Sequence, residues 1–523
     1  MNTKKGLVAV TTAAALFLAA CSGGSGTDST GSTDSTGAAG AGSGETINLG
    51  VAYETTNYHP SSTSSALAMG TNWHVMEGLY ELDMSDYSTY PALAAGEPEE
   101  VSDTEMEITL REGAKFSDGT DVTTQDVVSS FERAMAEGNL YASMLDFIDT
   151  VEAKDESTVT ITLKNPFPVA LKRLAVVKIV PESATDEELT AQPIGTGPWK
   201  YDQISDDQIT ASPNEHYNGD HPAGAGEMRW SVIKDDTART TAAQSGEIDI
   251  MEAVPAANRS QLEAAGMTVD EVDGFNLPFL LFNTSKEPFN DPAVRQAFFY
   301  AIDTDKLISN SMDDMATKAT SFLPESNPNY HEAATQFEHD PDKAQQLLDE
   351  AGVENLSITL LTTDHSWIAD LAPQIQQDLQ AVGINVSLQA EASASLYSNN
   401  LDVDDPTFDV ALAPGDPSVF GNDPALLMNW WYGDNVWTQK RTFWQESDQE
   451  TWQRLNTLIA EASTLEESEA QAKWDEAQDL LSEEVPLYPL FHRKMLTAYY
   501  PDNVEDFQPI GTTGLWAVGA TAK

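Results

Sequence analysis

The 523-residue chain reads as an α/β protein on three observations. Short runs that alternate apolar and polar residues, Thr158–Leu163 (TVTITL) most cleanly, carry the period of two expected of half-buried strands. Segments with helix-capping signals stand between such runs. Leu356 to Leu361, Ile368 to Ala381 and Ile384 to Leu388 then form a strand–helix–strand unit, which implies a crossover onto a mostly parallel sheet.

Taken in order, the chain opens with Lys4 and Lys5, an apolar stretch from Leu7 to Leu18, and Leu18-Ala19-Ala20-Cys21. A positive start, a short apolar middle and small residues are the pattern of an export signal, here residues 1–20. The stretch is shorter than the ~20 residues that span a bilayer. Cys21 is the only cysteine, and its position after small residues resembles a bacterial lipobox, which implies diacylglycerol on the thiol and an acylated amine after cleavage. Residues 21–44 hold this cysteine and a run of Ser, Gly, Thr, Ala and Asp with too little apolar surface to order itself, so a flexible tether is expected.

The folded body is expected from Glu45. Thr46–Val51 and Met106–Leu110 read as strands. Thr123 with Asp126 three residues on predicts a capped helix to about Ala136. Gly195-Thr196-Gly197-Pro198 predicts a turn into a strand at Trp199-Lys200-Tyr201. Asp291-Pro292 and Asp340-Pro341 each supply an N-cap and a first-turn proline, for helices to Ala301 and to Gly352. Thr451 to Glu484 predicts two helices broken near Ser463-Thr464.

Charge and motif content narrow the function classes. With 84 acidic and 27 basic residues the net charge is −57, which repels phosphate backbones and argues against a nucleic-acid partner. No second cysteine exists for a disulfide, and no thiol is left for catalysis once Cys21 carries lipid. The chain has no G-x-S-x-G, no G-x-x-x-x-G-K and no H-E-x-x-H; His331-Glu332 lacks the second histidine. None of the eight histidines forms an i, i+4 pair, and Asp402-Val403-Asp404-Asp405 lacks the glycine and glutamate of a calcium loop. The expectation is therefore a non-enzyme without cofactor or metal.

Several blocks in order carry a family resemblance. They are Pro91–Ala94, Leu110–Thr120 (LREGAKFSDGT), Gln125–Phe131, Pro193–Trp199 (PIGTGPW), Ser245–Asp249, and Pro288–Ala297 (PFNDPAVRQA) with Ala301-Ile302-Asp303. Together they are similar to the solute-binding lipoproteins of bacterial ABC importers, the peptide/nickel (oligopeptide and dipeptide) class. The resemblance implies a two-lobe, periplasmic-binding-protein-like α/β fold with mixed sheets and an extra domain inserted in the first lobe. On this chain it places lobe 1 at residues 45–74, 193–274 and 486–523, the inserted domain at 75–192 and lobe 2 at 275–485. Crossing segments would lie near Asn276–Asn283 and Val485–Leu490. It also implies a cleft that closes on its ligand and presents it to permease subunits. ATP hydrolysis on other subunits explains the missing Walker motif, and the lipid tether keeps the receptor near its permease.

The resemblance also points to ligand contacts. In peptide-binding relatives an aspartate in a D-P stretch after a strand pairs with the ligand's α-amine, and here Phe408–Leu412 is followed by Asp416-Pro417. Trp430, Trp431, Trp437 and Trp444 crowd after it, four of the chain's 11 tryptophans. Asp416, Trp430, Trp431 and Trp437 are thus candidate contacts, joined from the first lobe by Tyr53, Asn57 and Tyr58 on the loop after the first strand. A turn at Asp416 and core packing by the tryptophans are the competing readings. The expectation is a monomeric, exported, lipid-anchored peptide receptor. Oligosaccharide binding is the alternative, because tryptophan stacks on sugar faces; nickel or haem binding and a non-transport lipoprotein follow.

Overall fold

The computed structural model describes residues 45–523. The predicted signal, Cys21 and the tether lie outside the described residues. No helix among the described residues is long and apolar enough to cross a membrane.

Local sequence chemistry accounts for most element boundaries. The first strand spans Thr46–Val51, as expected, and pairs in parallel with Glu227–Val232 and Ile250–Met251. In the helix Thr124–Ala134 the Thr123 hydroxyl accepts from the Asp126 amide, and the Asp126 carboxylate accepts from the Thr123 amide, a complete capping box. The Asp–Pro pairs start helices Pro292–Ala301 and Pro341–Glu350, with each aspartate capping its own helix. The predicted break separates helices Gln449–Ser463 and Glu467–Glu484. At the predicted turn Gly197 donates its N–H to the Val75 carbonyl at 2.9 Å. A β-carbon there would lie 2.6 Å from the Val75 carbonyl carbon, so only glycine lets the two segments approach.

Three larger sheets result. An eight-stranded sheet runs in the order 268–273, 491–499, 250–251, 46–51, 227–232, 208–213, 199–204, with 316–318 also on 491–499. A four-stranded antiparallel sheet is built from residues 99–102, 105–109, 158–163 and 148–153. A five-stranded sheet has the order 385–391, 357–363, 410–415, 277–282, 487–489.

The strand–helix–strand reading of residues 356–388 holds locally, since 357–363 is parallel to both 385–391 and 410–415. The sheet as a whole is mixed rather than mostly parallel. Leu277–Phe282 runs antiparallel to Val410–Gly415 on one side and to Leu487–Pro489 on the other. Those two strands come from segments far apart in sequence that travel together between the large sheets. Leu490 alone separates 487–489 in the five-stranded sheet from 491–499 in the eight-stranded one.

Candidate functional site

The paired segments carry polar groups out of an apolar frame. Leu277–Phe282 is buried at every position, as is Leu487–Pro489. At their common end the Arg493 amide donates to the Asn276 carbonyl at 2.7 Å, and the polar residues begin. Asn276 precedes the first segment and Arg493 follows the second. Asp416 arrives at the same end because Leu277 pairs with Gly415 in register.

Asp416 is half-buried and meets only neutral donors. One oxygen accepts from the Thr513 amide (2.8 Å), the Thr513 hydroxyl (2.7 Å) and the Thr512 hydroxyl (3.2 Å); the other accepts from the Ser418 hydroxyl. Loss of water outweighs these bonds, so burial raises the carboxyl above the ordinary aspartate value of 3.8. The Tyr87 phenol lies beside it and is pushed up by burial and by the Asp416 charge. A carboxylate ringed by hydroxyls and amides can take up a cation without first surrendering an ion pair.

A hydrogen-bonded relay leads away from this carboxylate. The Thr513 hydroxyl that donates to Asp416 accepts from the Asn276 amide nitrogen at 2.9 Å. The Asn276 amide oxygen accepts from Arg493 Nη1 at 3.4 Å. Behind the relay Glu252, 4 % exposed, accepts from the Gly514 amide at 3.0 Å and the Ala52 amide at 3.3 Å. Burial raises its carboxyl above the ordinary value. Tyr53 follows Ala52; its ring lies 5.8 Å from that of His365, and burial pushes its phenol up against the opposing charge of Arg493.

The predicted residues divide into groups. Asp416 and Tyr53 come together around this relay. Trp431 and Trp437 form the apolar wall behind Gly415. Trp431 is fully buried among Phe275, Phe279, Phe322 and Trp437, and Trp437 is 5 % exposed against Tyr397 and Arg441. A β-carbon on Gly415 would sit 2.3 Å from the Trp431 ring, so glycine lets the indole pack under the strand end that presents Asp416. Trp430 is half-buried and packs on Phe420 at 5.2 Å. Asn57 and Tyr58 lie elsewhere: Asn57 accepts from the His59 amide, and Tyr58 is buried against Tyr201 at 6.2 Å. No hydrogen bond or aromatic contact among the described residues joins either to the relay.

Sequence reasoning did not find Thr512, Thr513, Glu252, Trp367 or Arg493. A polar doublet between glycines (Gly511 to Gly514) and the basic run His492-Arg493-Lys494 after the crossing segment were the local signals for Thr512, Thr513 and Arg493, and neither has a period; Glu252 and Trp367 carry none. Among the described residues no three His, Cys, Asp or Glu side chains gather as a metal-ligand set.

Residues 88–438 match the family described as "Bacterial extracellular solute-binding proteins, family 5 Middle". The chain is 27% identical over 410 residues to the probable D,D-dipeptide-binding periplasmic protein DdpA of Escherichia coli, covering 74% of this chain and 76% of that one. It is 27% identical over 493 residues to the glutathione-binding protein GsiB of Shigella dysenteriae, covering 88% and 91%. In structure it is similar to the periplasmic binding protein DppA of Helicobacter pylori, solved with the peptide STSA, at a TM-score of 0.80 and 21% identity over 91% of this chain and 98% of that one. The two-lobe α/β fold expected from the sequence is thereby shown.

Proposed function

Because this chain belongs to the bacterial extracellular solute-binding proteins of family 5, we propose that it captures peptides in the cleft bordered by Asp416, Tyr53 and the crossing segments, and delivers them to the permease of an importer. The family is one of extracellular solute-binding proteins, and on this reading the chain is the substrate-binding component of an ABC importer and carries out no catalysis. Export, lipid attachment at Cys21 and the tether of residues 21–44 belong to the same reading, as does a monomeric state. So do the lobes: one around the eight-stranded sheet, an inserted domain around the four-stranded sheet, and a second lobe around the five-stranded sheet.

The observation that carries this reading is Asp416, a half-buried carboxylate with four neutral donors and no ion pair among the described residues. A peptide's α-ammonium supplies the missing charge. Peptides named with two of the similar proteins, a D,D-dipeptide and STSA, support the substrate class. Burial of Trp431 and Trp437 favours peptide over oligosaccharide, since neither indole face is open to stack on a sugar.

Thermal-shift screening against peptide and oligosaccharide libraries tests the class: stabilisation by peptides without turnover is expected. Asp416→Ala lowers peptide affinity at least about tenfold by calorimetry with no fall in melting temperature. Unchanged affinity removes Asp416 from the site.

A further inference from the structure

We propose that Arg173 is a positioning residue for peptide capture: it holds the loop that carries Asp416 from a part of the molecule outside the five-stranded sheet. The inference rests on the peptide reading above and adds a residue that acts on the site without touching the ligand.

The loop is the carrying observation. Residues 416–423 connect the strand Val410–Gly415 to the helix Pro424–Tyr432. They make a short helical turn, Pro417–Phe420, and then pass through Gly421 at φ +136°, a backbone that favours glycine. Pro417 to Gly421 and Asp423 are buried. At the start of the loop Thr512 and Thr513 hold Asp416. At its far end Arg173 donates from Nε and Nη2 to the two oxygens of Asp423, at 2.8 and 2.7 Å. Arg173 is 2 % exposed, which puts it beyond the reach of a ligand in the cleft.

The grip is itself fixed. Arg173 Nη1 donates to the Met144 carbonyl at 2.8 Å, and the guanidinium lies over the Phe167 ring at 5.5 Å. Tyr141 packs edge-on against Phe420, with ring centroids 5.1 Å apart, and its hydroxyl donates to the Thr63 carbonyl at 2.7 Å. Arg173, Tyr141, Met144 and Phe167 all belong to residues 75–192, the stretch that carries the four-stranded sheet. That stretch therefore holds the Asp416 loop at two points.

An ion pair is a poor choice if stability is its sole purpose, since buried apolar residues of similar volume hold two surfaces together as well or better. What the arginine fork adds is direction: two parallel N–H···O bonds fix the carboxylate in plane and distance. Direction is what Asp416 needs, because its bonds to Ser418, Thr512 and Thr513 weaken steeply on displacement. Ser418 lies within the loop and donates to Asp416 and to Thr512, so a shift at Asp423 reaches the carboxylate through it.

The test is peptide binding by wild type, Arg173→Lys and the double variant Arg173→Met/Asp423→Asn. The double variant removes both charges together and keeps a side chain able to cap the helix, so it is expected to melt within about 4 °C of wild type. The probe is the di- to tetrapeptide that stabilises wild type most in a library screen, followed by calorimetry from about pH 3 to 7. The double variant is expected to bind about tenfold more weakly, the scale of coupling between groups in one network. Its binding also persists to lower pH than that of wild type, because a loosened loop readmits water to Asp416 and returns the carboxyl toward 3.8. The Tyr87 phenol beside Asp416 is pushed up by burial and does not titrate in that range. Arg173→Lys keeps the charge, loses the fork and falls between the two. A merely structural pair would lower the melting temperature and leave affinity and pH profile at their wild-type values, which overturns the proposal. Should the double variant not fold, unchanged affinity in Arg173→Lys does the same. Failure of every peptide in the library to bind wild type overturns this proposal and the peptide reading together; wild-type binding with no effect of the variants overturns this one alone.

Discussion

Two arginine–aspartate regions of this molecule are built on opposite plans. Arg173, on the short helix Ala170–Leu174, donates from Nε and Nη2 to both oxygens of Asp423 at 2.8 and 2.7 Å, and from Nη1 to the Met144 carbonyl. Asp423 also caps the helix Pro424–Tyr432 through the Leu426 amide. Burial alone would raise its carboxyl, but the Arg173 charge and these bonds prevail and hold it below the ordinary value. Asp416 and Arg493 are only half-buried, and each meets only neutral partners, with a chain of amides and hydroxyls between them. The first region is complete in the protein alone. The second leaves both charged groups half-exposed and without an ion pair among the described residues.

Breaking the complete region has the largest expected effect. Arg173→Ala leaves Asp423 buried without its cation and lowers unfolding free energy by about 3–5 kcal/mol in a denaturant titration. A loss below about 1 kcal/mol would mean the pair is structurally idle. Acidification separates the regions by sign. Asp423 has a depressed folded pKa, so its contribution is present above pH 3.8 and is lost as pH falls through the lower folded value. Asp416 has a raised folded pKa, so its contribution is present below pH 3.8 and is lost as pH rises through the folded value. Peptide binding follows the ionised form and weakens as pH drops through that raised value, beginning above 3.8, by about tenfold per pH unit below it. Affinity that stays flat down to pH 3.8 would contradict the role of Asp416. The smallest change comes from the relay: Asn276→Ala should weaken peptide binding by about 1 kcal/mol, roughly fivefold, measured by calorimetry.

Legibility in the sequence followed the range of the interactions concerned. The capping box at Thr123 and Asp126, the Asp–Pro helix starts and the strands 46–51 and 158–163 rest on contacts within a few residues, and each was readable. The antiparallel partners of the five-stranded sheet were not, because Leu277–Phe282 is apolar throughout and an unbroken apolar run has no period to give its direction away. Pairing of Ala316–Lys318 with the 491–499 strand is equally long-range. At the candidate site, Asp416 is a candidate only through a family motif. The tryptophan count identified the neighbourhood but not the exposure of each ring, which depends on the space left by Gly415. Arg493 was out of reach: an arginine in a strand is ordinary until the fold denies it a carboxylate.

The hydrogen bonds between Arg493 and Asp416 all point one way. Guanidinium donates to amide oxygen, amide nitrogen to hydroxyl, and hydroxyl to carboxylate. The series therefore has a head and a tail, and its dipoles reinforce one another. Rotating the Asn276 amide by half a turn would leave its shape unchanged and set an –NH2 against the guanidinium, reversing an attraction without moving a backbone atom.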